Sequence, residues 1–512
     1  MTGFSLLLRG GLVADGTGAP LAARDVAVVG RRIALVEPGS VVASDEVADV
    51  SGLVIAPGFI DAHTHSDTSA LAGAEGELDT EQVYAAVRQG VTVEVAGNCG
   101  SSAFPGTFSG LAALGRAHAA VGRANHLVSL VGHGSLRAAV VGHEARAATE
   151  TEVARMAEVL DEALAAGAVG LSTGLIYTPG TYANTAEVTA LARVAAQHRK
   201  PYVTHLRDEM SGVEGALAEA VAIARDSGAA LHVSHHKTAG KYAWGRTETT
   251  LATLTGLRAS GMDVTCDVYP YTAGSTALAA MLPPWAHDGG PARLLARLRD
   301  PEQRALMATA ISEGVPGWEN TVGNGGWDRI SVACARRHRH YQGRTIADLA
   351  ADRAVDPVEL VAELLVAEDG DVSIISHSMR EDDVRRVLAV PFSMIGSDGV
   401  PKRGLPHPRW AGTFSRVLGH YSREAGLFGI AEAVRKMTGA TAARFGLAGR
   451  GVLRDGAHAD LVVFDPALVA DRATFEDPLA APDGVRMVVV GGSVVVRDGE
   501  VLAARPGRVL AC

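Results

Sequence analysis

The feature that most constrains the fold is a buried strand that ends in two histidines. Residues 54–60 are apolar enough to be covered on both faces, and the chain runs on into His63-Thr-His65. Side chains two apart on an extended chain point to the same face, so these imidazoles can bind one ion. A parallel α/β barrel places metal centres at such strand ends. An isolated pair also suits a purely structural role, so the rest of the chain must decide.

Length and charge bound the class of protein. At 512 residues the chain exceeds a single barrel of about 250 residues, so a second domain or long insertions are expected. The sequence is 47% hydrophobic and 20% charged, which is typical of a globular protein with a large core. A net charge of -10 is modest at this size and argues against nucleic acid as the main partner.

Cysteine usage and apolar runs bear on the compartment. Four cysteines are too few and too scattered for a disulfide framework, which favours a reducing compartment: Cys99, Cys266, Cys334 and Cys512. No uninterrupted apolar run reaches about 18 residues, and the apolar stretch at residues 4–8 is too short for a signal-peptide core. We therefore expect a cytoplasmic protein without a membrane span. The oligomeric state stays open.

The two ends of the chain differ from its middle. Residues 1–53 and 448–512 read as short strands parted by glycine-rich turns, whereas residues 54–447 alternate apolar strands with alanine-rich helices. This alternation predicts an α/β fold with a parallel sheet. We predict a (β/α)8 TIM barrel over residues 54–447, with a small β-sandwich domain built from both chain termini. A segment near 281–341, rich in Pro, Gly and Trp, is predicted to be an inserted lid.

The middle of the chain holds nine candidate strands, one more than the barrel needs, and the sequence does not decide which is extra. They lie at residues 56–60, 92–96, 127–131, 169–171, 202–204, 231–233, 263–268, 372–375 and 392–395. Metal ligands or proton carriers follow four of them: Cys99, His205, His235 and Asp398. Barrel strands end at one mouth, so these side chains should converge there with the two histidines of the first strand.

Longer motifs surround these residues, and they carry a family resemblance. They are Pro57-Gly-Phe-Ile-Asp-Ala-His-Thr-His65, Gly97-Asn-Cys-Gly100, Gly170-Leu-Ser-Thr-Gly-Leu-Ile-Tyr177, Thr204-His-Leu-Arg-Asp-Glu209, Val233-Ser-His-His-Lys237, Asp267-Val-Tyr-Pro-Tyr-Thr-Ala-Gly-Ser275, Ile395-Gly-Ser-Asp-Gly399 and His407-Pro-Arg409. On these motifs the chain resembles the amidohydrolase superfamily, and within it the N-acyl-D-amino-acid deacylases, or D-aminoacylases. The resemblance runs over essentially the whole chain.

The resemblance implies a reaction and its metal ligands. The reaction is zinc-dependent hydrolysis of the amide bond of N-acyl-D-amino acids, which gives a carboxylate and a free D-amino acid. Cys99, His205 and His235 resemble the ligands of one tight zinc site, with a position left for water. His63 and His65 resemble the ligands of a second, weaker site, and the family pattern lets Cys99 reach both metals.

The resemblance also implies roles for the other side chains. Asp398 resembles the general base that takes a proton from the attacking water and later gives it to the leaving amine. Arg409 resembles the residue that pairs with the α-carboxylate of the substrate, which suits a planar guanidinium. Lys237, Tyr269 and Ser275 match positions that contact the substrate. The implied partner is therefore a small N-acyl amino acid.

Two alternatives are weighed against this reading. A cyclic-amide hydrolase of hydantoinase or dihydroorotase type shares the barrel and the first histidine pair. It would favour a carboxylated lysine at the fourth strand, and residues 170–174 contain none. Gly170-Leu-Ser172-Thr-Gly174 also fits the nucleophile turn of a serine hydrolase. That turn needs a helix after the serine, where this chain has Pro179 and Gly180.

The loop before Arg409 departs from the family pattern. Lys402 and Arg403 add two positive charges near the expected pocket. A solvated loop explains them more simply than recognition of an acidic substrate does. The side-chain preference of the substrate, hydrophobic or acidic, therefore stays open.

Overall fold

The structure is a computed structural model, and it describes residues 4–67 and 80–512. The strands are β1 (Leu6–Arg9), β2 (Leu12–Val13), β3 (Ala22–Ala23), β4 (Asp25–Val29), β5 (Arg32–Val36), β6 (Val47–Asp49), β7 (Val54–Pro57), β8 (Phe59–Asp61), β9 (Val91–Ala96), β10 (His126–Ser129), β11 (Val131–Gly132), β12 (Leu171–Gly174), β13 (Tyr202–His205), β14 (Leu231–Val233), β15 (Val264–Val268), β16 (Gly274–Ala277), β17 (Ile330–Cys334), β18 (Ser373–Ser376), β19 (Ser393–Ile395), β20 (Leu461–Phe464), β21 (Val485–Val490), β22 (Ser493–Arg497) and β23 (Glu500–Val501). The helices are α1 (Thr80–Arg88), α2 (Leu111–Val121), α3 (His133–Val140), α4 (Glu150–Ala165), α5 (Thr185–Gln197), α6 (Val213–Ser227), α7 (Thr247–Ala259), α8 (Pro291–Arg299), α9 (Pro301–Glu313), α10 (Thr321–Gly325), α11 (Ile346–Asp352), α12 (Pro357–Ala367), α13 (Glu381–Ala389), α14 (Arg409–Arg416), α15 (Ile430–Met437) and α16 (Gly439–Phe445).

Eight parallel strands form a barrel in the order β8, β9, β10, β12, β13, β14, β15 and β19. Strand pairing is continuous from β8 to β10 and from β12 to β19. Backbone hydrogen bonds close the ring at two places. Val169 N–H donates to Ser129 O at 2.9 Å between the third and fourth strands, and Ala62 N–H donates to Ile395 O at 3.2 Å between the first and last. The predicted barrel is confirmed.

Two of the helices around the barrel, α4 and α5, begin at residues whose side chains cap the helix. In α4 the Thr149 hydroxyl accepts from Glu152 N–H, and the Glu152 carboxylate accepts from Thr149 N–H. This reciprocal pair satisfies two backbone donors at the helix start and stabilises it. The buried residues of α4, Met156, Leu160 and Leu164, are four apart and share one face. Within the described residues, no helix is both long and apolar enough to cross a membrane.

The first predicted strand differs from the observed structure. Residues 54–60 form two strands that separate at Gly58: β7 pairs with β2 and β20, whereas β8 opens the barrel. A Cβ at Gly58 would lie 2.3 Å from the side chain of Thr92, so only glycine fits this close approach. Residues 54–57 and 59–60 are all apolar and buried, and for that reason the hydrophobic pattern hides the break.

The extra candidate strand, residues 372–375, lies outside the barrel. Residues 372–375 fall largely in β18, which pairs antiparallel with β16 and β17. These three strands and helices α8 to α12 form what we call the insertion, residues 274–376, between β15 and β19. It has an apolar core of its own, which includes Leu294, Met307, Val332, Leu360 and Ile374. The insertion extends beyond the predicted range 281–341 on both sides, and its action as a lid stays a prediction.

The two chain ends build a pair of sheets. One sheet has the order β5-β4-β1-β6, and the other has the order β23-β22-β21-β20-β7-β2-β3. The second sheet combines strands from before and after the barrel. Buried side chains from both sheets share one core, among them Leu8, Val26, Leu461 and Val489. The two ends therefore fold together as predicted, while the domain limits 1–53, 54–447 and 448–512 remain a prediction.

Candidate metal centre and active site

Six predicted side chains meet at the C-terminal mouth of the barrel. His63 and His65 follow β8, Cys99 follows β9, His205 ends β13, His235 follows β14 and Asp398 follows β19. Their side-chain atoms form three groups, and within each group all the atoms lie within 4.8 Å of one another. The groups are Cys99 with His205 and His235, His63 with His65 and Cys99, and His63 with His235 and Asp398. The barrel thus brings together every predicted metal ligand and the predicted base.

Three of these residues have a left-handed backbone. The φ angles are 51° at Cys99, 33° at His235 and 50° at Asp398. Such angles cost about 1–3 kcal/mol in a non-glycine residue, so the surrounding structure must impose them. Next to Cys99, a Cβ at Gly97 would lie 2.4 Å from the carbonyl oxygen of Leu130, so the turn is tightly packed. Strained residues of this kind cluster at functional sites.

Ser172, the candidate nucleophile of the alternative reading, lies inside β12 and supports the Cys99 turn. Its side chain is buried, and its hydroxyl donates to Gly97 O while accepting from Gly100 N–H at 3.2 Å. A nucleophile turn would present the serine at a strand-to-helix junction. This serine is instead in mid-strand with its hydroxyl engaged by backbone. The serine-hydrolase alternative is therefore wrong.

Cys99 is placed to be a thiolate. Its Sγ lies 3.3 Å from His63 Nε2 and 3.3 Å from His235 Nε2. Burial opposes ionisation of the thiol, but the two imidazoles outweigh it and hold the pKa of Cys99 well below its usual value. The thiolate, and not the thiol, is the form of cysteine that binds metal.

The donor set around Cys99 fits a zinc ion. His205 is buried; among the described residues its ring nitrogens make no hydrogen bond, and its Nε2 has an ion-pair contact of 3.4 Å with Glu209 Oε2. A buried imidazole without such a partner is costly unless something else engages it. One sulfur and two imidazole nitrogens are typical zinc ligands, and three protein ligands leave one position open in a tetrahedral site.

Two carboxylates that the sequence analysis did not assign orient the histidines. Asp267 Oδ2 lies 3.4 Å from His63 Nδ1, and Asp267 Oδ1 accepts from the backbone N–H of His235 at 2.9 Å. Glu209 Oε1 lies 3.2 Å from His235 Nδ1, and Glu209 Oε2 lies 2.6 Å from Lys237 Nζ. Carboxylates in these positions fix the ring orientation of metal-binding histidines. Asp267 and Glu209 both lie in motifs quoted above, close to the ends of strands. Their acidic side chains at these positions could have indicated a role at the site from the sequence alone.

Asp398 and Arg409 form a buried ion pair. Arg409 Nη1 lies 2.9 Å from Asp398 Oδ2, and Asp398 Oδ1 lies 3.1 Å from His65 Nε2 and 3.5 Å from His63 Nε2. Burial favours the neutral acid, but Arg409 and these histidines outweigh it and hold the pKa of Asp398 well below its usual value. The sequence predicted Arg409 as a substrate ligand only. The structure shows that it also contacts the predicted base.

The other predicted substrate residues line the same cavity, which measures about 580 Å³. The guanidinium carbon of Arg409 lies 4.7 Å from the ring centre of Tyr269, and Lys237 Nζ lies 5.7 Å from the same ring centre. Ser275 stands on β16 of the insertion, where its carbonyl oxygen accepts from Arg409 Nη2 at 3.2 Å. The volume falls in the range of about 300–1,000 Å³ that is typical of small-molecule sites.

Comparisons with known proteins identify the family. Residues 46–496 match the model of the amidohydrolase family, and the chain belongs to that family. It is 39% identical to the D-aminoacylase of Alcaligenes xylosoxydans xylosoxydans over 99% of this chain and 98% of that protein. It also superposes with a TM-score of 0.84 and 37% identity on N-acyl-D-glutamate deacylase from Bordetella bronchiseptica, complexed with zinc and a phosphonate inhibitor, and the match covers 100% of both chains.

The cyclic-amide alternative receives less support. L-Hydantoinase from Arthrobacter aurescens superposes with a TM-score of 0.59 and 14% identity over 99% of this chain and 100% of that one, a likeness of fold alone. The fourth barrel strand here is Leu-Ser-Thr-Gly, without the lysine that such an enzyme would favour. Both observations separate this chain from the cyclic-amide hydrolases.

Proposed function

We propose that this protein is a zinc-dependent N-acyl-D-amino-acid deacylase. The observation that carries the proposal is the group of Cys99, His205 and His235, placed beside Asp398 and Arg409 at one barrel mouth. The identity to D-aminoacylase over nearly the whole chain supports the substrate class and the D configuration, which geometry alone does not give. The zinc in the N-acyl-D-glutamate deacylase structure supports the choice of metal.

The metal ligands follow from the donor chemistry. Cys99, His205 and His235 would hold the tight zinc, and His63 with His65 would hold a second, weaker divalent metal within reach of the same thiolate. Zinc, when bound, supplies Lewis acidity that stabilises the negative charge developing during amide hydrolysis.

Asp398 would carry the protons of the reaction. Its carboxylate is ionised at neutral pH, since Arg409 and the two histidines of the first strand favour the charged form. It accepts a proton from the attacking water and delivers one to the leaving nitrogen as the C–N bond breaks. The products are a carboxylate and a D-amino acid.

Three further side chains would position the substrate. Arg409 offers a planar guanidinium to the α-carboxylate, which is the anion common to all N-acyl amino acids. Lys237 lies near the Tyr269 ring, so both can contact the same end of the substrate. Tyr269 would donate its hydroxyl to the scissile carbonyl; burial raises the pKa of Tyr269, so the phenol keeps its proton.

A substrate panel tests the proposal. The zinc-loaded protein is assayed with N-acetyl-D-leucine, N-acetyl-L-leucine and a hydantoin. We expect release of acetate from the D substrate and little or none from the L enantiomer or the ring substrate. Ring opening without deacylation would contradict the proposal, and so would a preference for the L enantiomer.

A further inference from the structure

The cations that line the cavity are all engaged by carboxylates. Among the described residues of the lining there are three such side chains, Lys237, Lys402 and Arg409. Lys237 Nζ lies 2.6 Å from Glu209 Oε2, and Arg409 Nη1 lies 2.9 Å from Asp398 Oδ2. These two pairs belong to the reacting end of the cavity, as described above. A second carboxylate on the substrate would therefore have to compete for a cation already in use.

Lys402 is the only one of the three whose carboxylate partner lies outside the reacting groups described above. Its Nζ lies 2.8 Å from Asp371 Oδ1, and both side chains are partly exposed. Because both side chains are partly exposed, solvent screens their charges, and the pair attracts a further anion only weakly. The positive charge of Lys402, one of the two that the sequence analysis noted near the pocket, is thus balanced by Asp371 of the insertion.

The insertion adds an acid to the cavity wall instead. Glu319 lines the cavity, and its Oε2 accepts from Glu209 N–H at 2.5 Å. Burial raises the pKa of Glu319 to about 8, and the nearby carboxylates of Glu209 and Asp208 add to the rise, while Lys237 opposes it. The raised pKa indicates that a negative charge is disfavoured at this part of the wall. The carboxylate of an acidic substrate would be disfavoured there for the same reason.

Apolar side chains make up much of the remaining lining, together with the hydroxyl groups of several serines and threonines. Ile176, Met210, Met281, Trp318 and Val400 line the cavity beyond the reacting groups. Apolar and aromatic surfaces with a few polar groups are typical of sites that bind apolar substituents. None of these groups carries a positive charge, and a buried charge without a counter-ion is strongly disfavoured.

We infer that the cavity selects N-acyl-D-amino acids with neutral, mainly apolar side chains, and that Glu319 of the insertion is a specificity-determining residue that disfavours acidic ones. The inference rests on the proposed deacylase function and names its substrate class. The two related proteins do not decide the matter, because one is named a D-aminoacylase and the other an N-acyl-D-glutamate deacylase.

The test compares N-acetyl-D-leucine, N-acetyl-D-glutamine and N-acetyl-D-glutamate, of which the last two differ in charge but hardly in shape. Assays at pH 8.5 keep the Glu319 carboxyl mainly ionised. In the wild-type protein we expect kcat/KM for the leucine substrate to exceed that for glutamate by at least about tenfold, with glutamine between them. In Glu319→Gln, which keeps an oxygen for Glu209 N–H, the preference for glutamine over glutamate should shrink by about three- to tenfold.

Two comparisons make the test decisive. Glu313→Gln makes the same change on an exposed residue of α9, and it should leave all the ratios unchanged. Turnover of the leucine substrate reports that each variant is folded and active. A wild-type preference for glutamate, or unchanged ratios in Glu319→Gln, would overturn the inference while leaving the deacylase function intact. If none of the three substrates is hydrolysed, the proposed function itself is contradicted.

Discussion

The barrel strand ends and the insertion face the same cavity but contribute different kinds of groups. The strand ends present a thiolate, histidines and an aspartate, three of them on left-handed backbone and several oriented by buried carboxylates. The insertion presents apolar side chains, the carbonyl oxygen of Ser275 and the carboxyl of Glu319. This difference fits the proposed division of labour, in which the strand ends perform the reaction and the insertion selects the substrate.

The largest effect should come from removing the thiolate. In Cys99→Ala we expect loss of most of the tightly bound zinc and of nearly all activity, because the soft ligand shared by two donor groups is gone. Zinc per chain is measured by elemental analysis, alongside turnover. Cys334→Ala is the matched control, since Cys334 also lines the cavity but stands on β17 of the insertion. Full zinc and full activity in Cys99→Ala would break the assignment.

The next effect separates proton transfer from metal binding. Asp398→Asn should keep the tight zinc but lower kcat by about 10²–10⁴-fold, the usual worth of general acid–base catalysis. The measurement is kcat together with zinc content. If the variant loses its tight zinc as well, Asp398 acts mainly as a metal ligand and not as the base.

A smaller effect is expected at Arg409, where the two regions touch through Ser275. Arg409→Ala should lower kcat/KM for an N-acetyl-D-amino acid by roughly ten- to a hundredfold, since a charged hydrogen-bonded contact is lost. Arg409→Lys should recover part of the loss, because lysine keeps the charge but not the planar fork.

The control substrate for the Arg409 variants is the α-amide of the same N-acetyl-D-amino acid, which lacks the α-carboxylate. Arg409 also contacts Asp398, so some loss on the amide is expected. The loss on the acid should be clearly larger. Equal losses on both substrates would show that Arg409 acts only by holding the base.

The smallest effect should come from the apolar wall of the insertion. Trp318→Ala removes an aromatic surface from the cavity and should lower kcat/KM for N-acetyl-D-leucine by about five- to tenfold, mainly through KM. Zinc content should be unchanged. Leu306→Ala, on the exposed side of α9, is the control and should change neither quantity. Loss of zinc in Trp318→Ala would contradict the division between reaction and selection.

The sequence predicted the strand ends far better than the insertion. His-x-His, Gly-Asn-Cys-Gly and the other motifs place chemically distinctive residues at fixed distances from apolar strands, and the barrel topology then brings them together. The break at Gly58 was hidden because it depends on the side chain of Thr92 from a neighbouring strand. Glu319 was missed because no motif surrounds it, and only tertiary packing brings it to Glu209. The Arg409–Asp398 pair was missed for a related reason, since sequence spacing does not show that two catalytic candidates touch.

The most direct test of the account is a zinc titration of the metal-free protein. Zinc is removed with a chelator and returned in measured amounts, and turnover of N-acetyl-D-leucine is recorded at each step. We predict no activity without metal, a linear rise with added zinc and a plateau near one zinc per chain, as expected for a single tight site at Cys99, His205 and His235. Undiminished turnover in the metal-free protein would contradict the account.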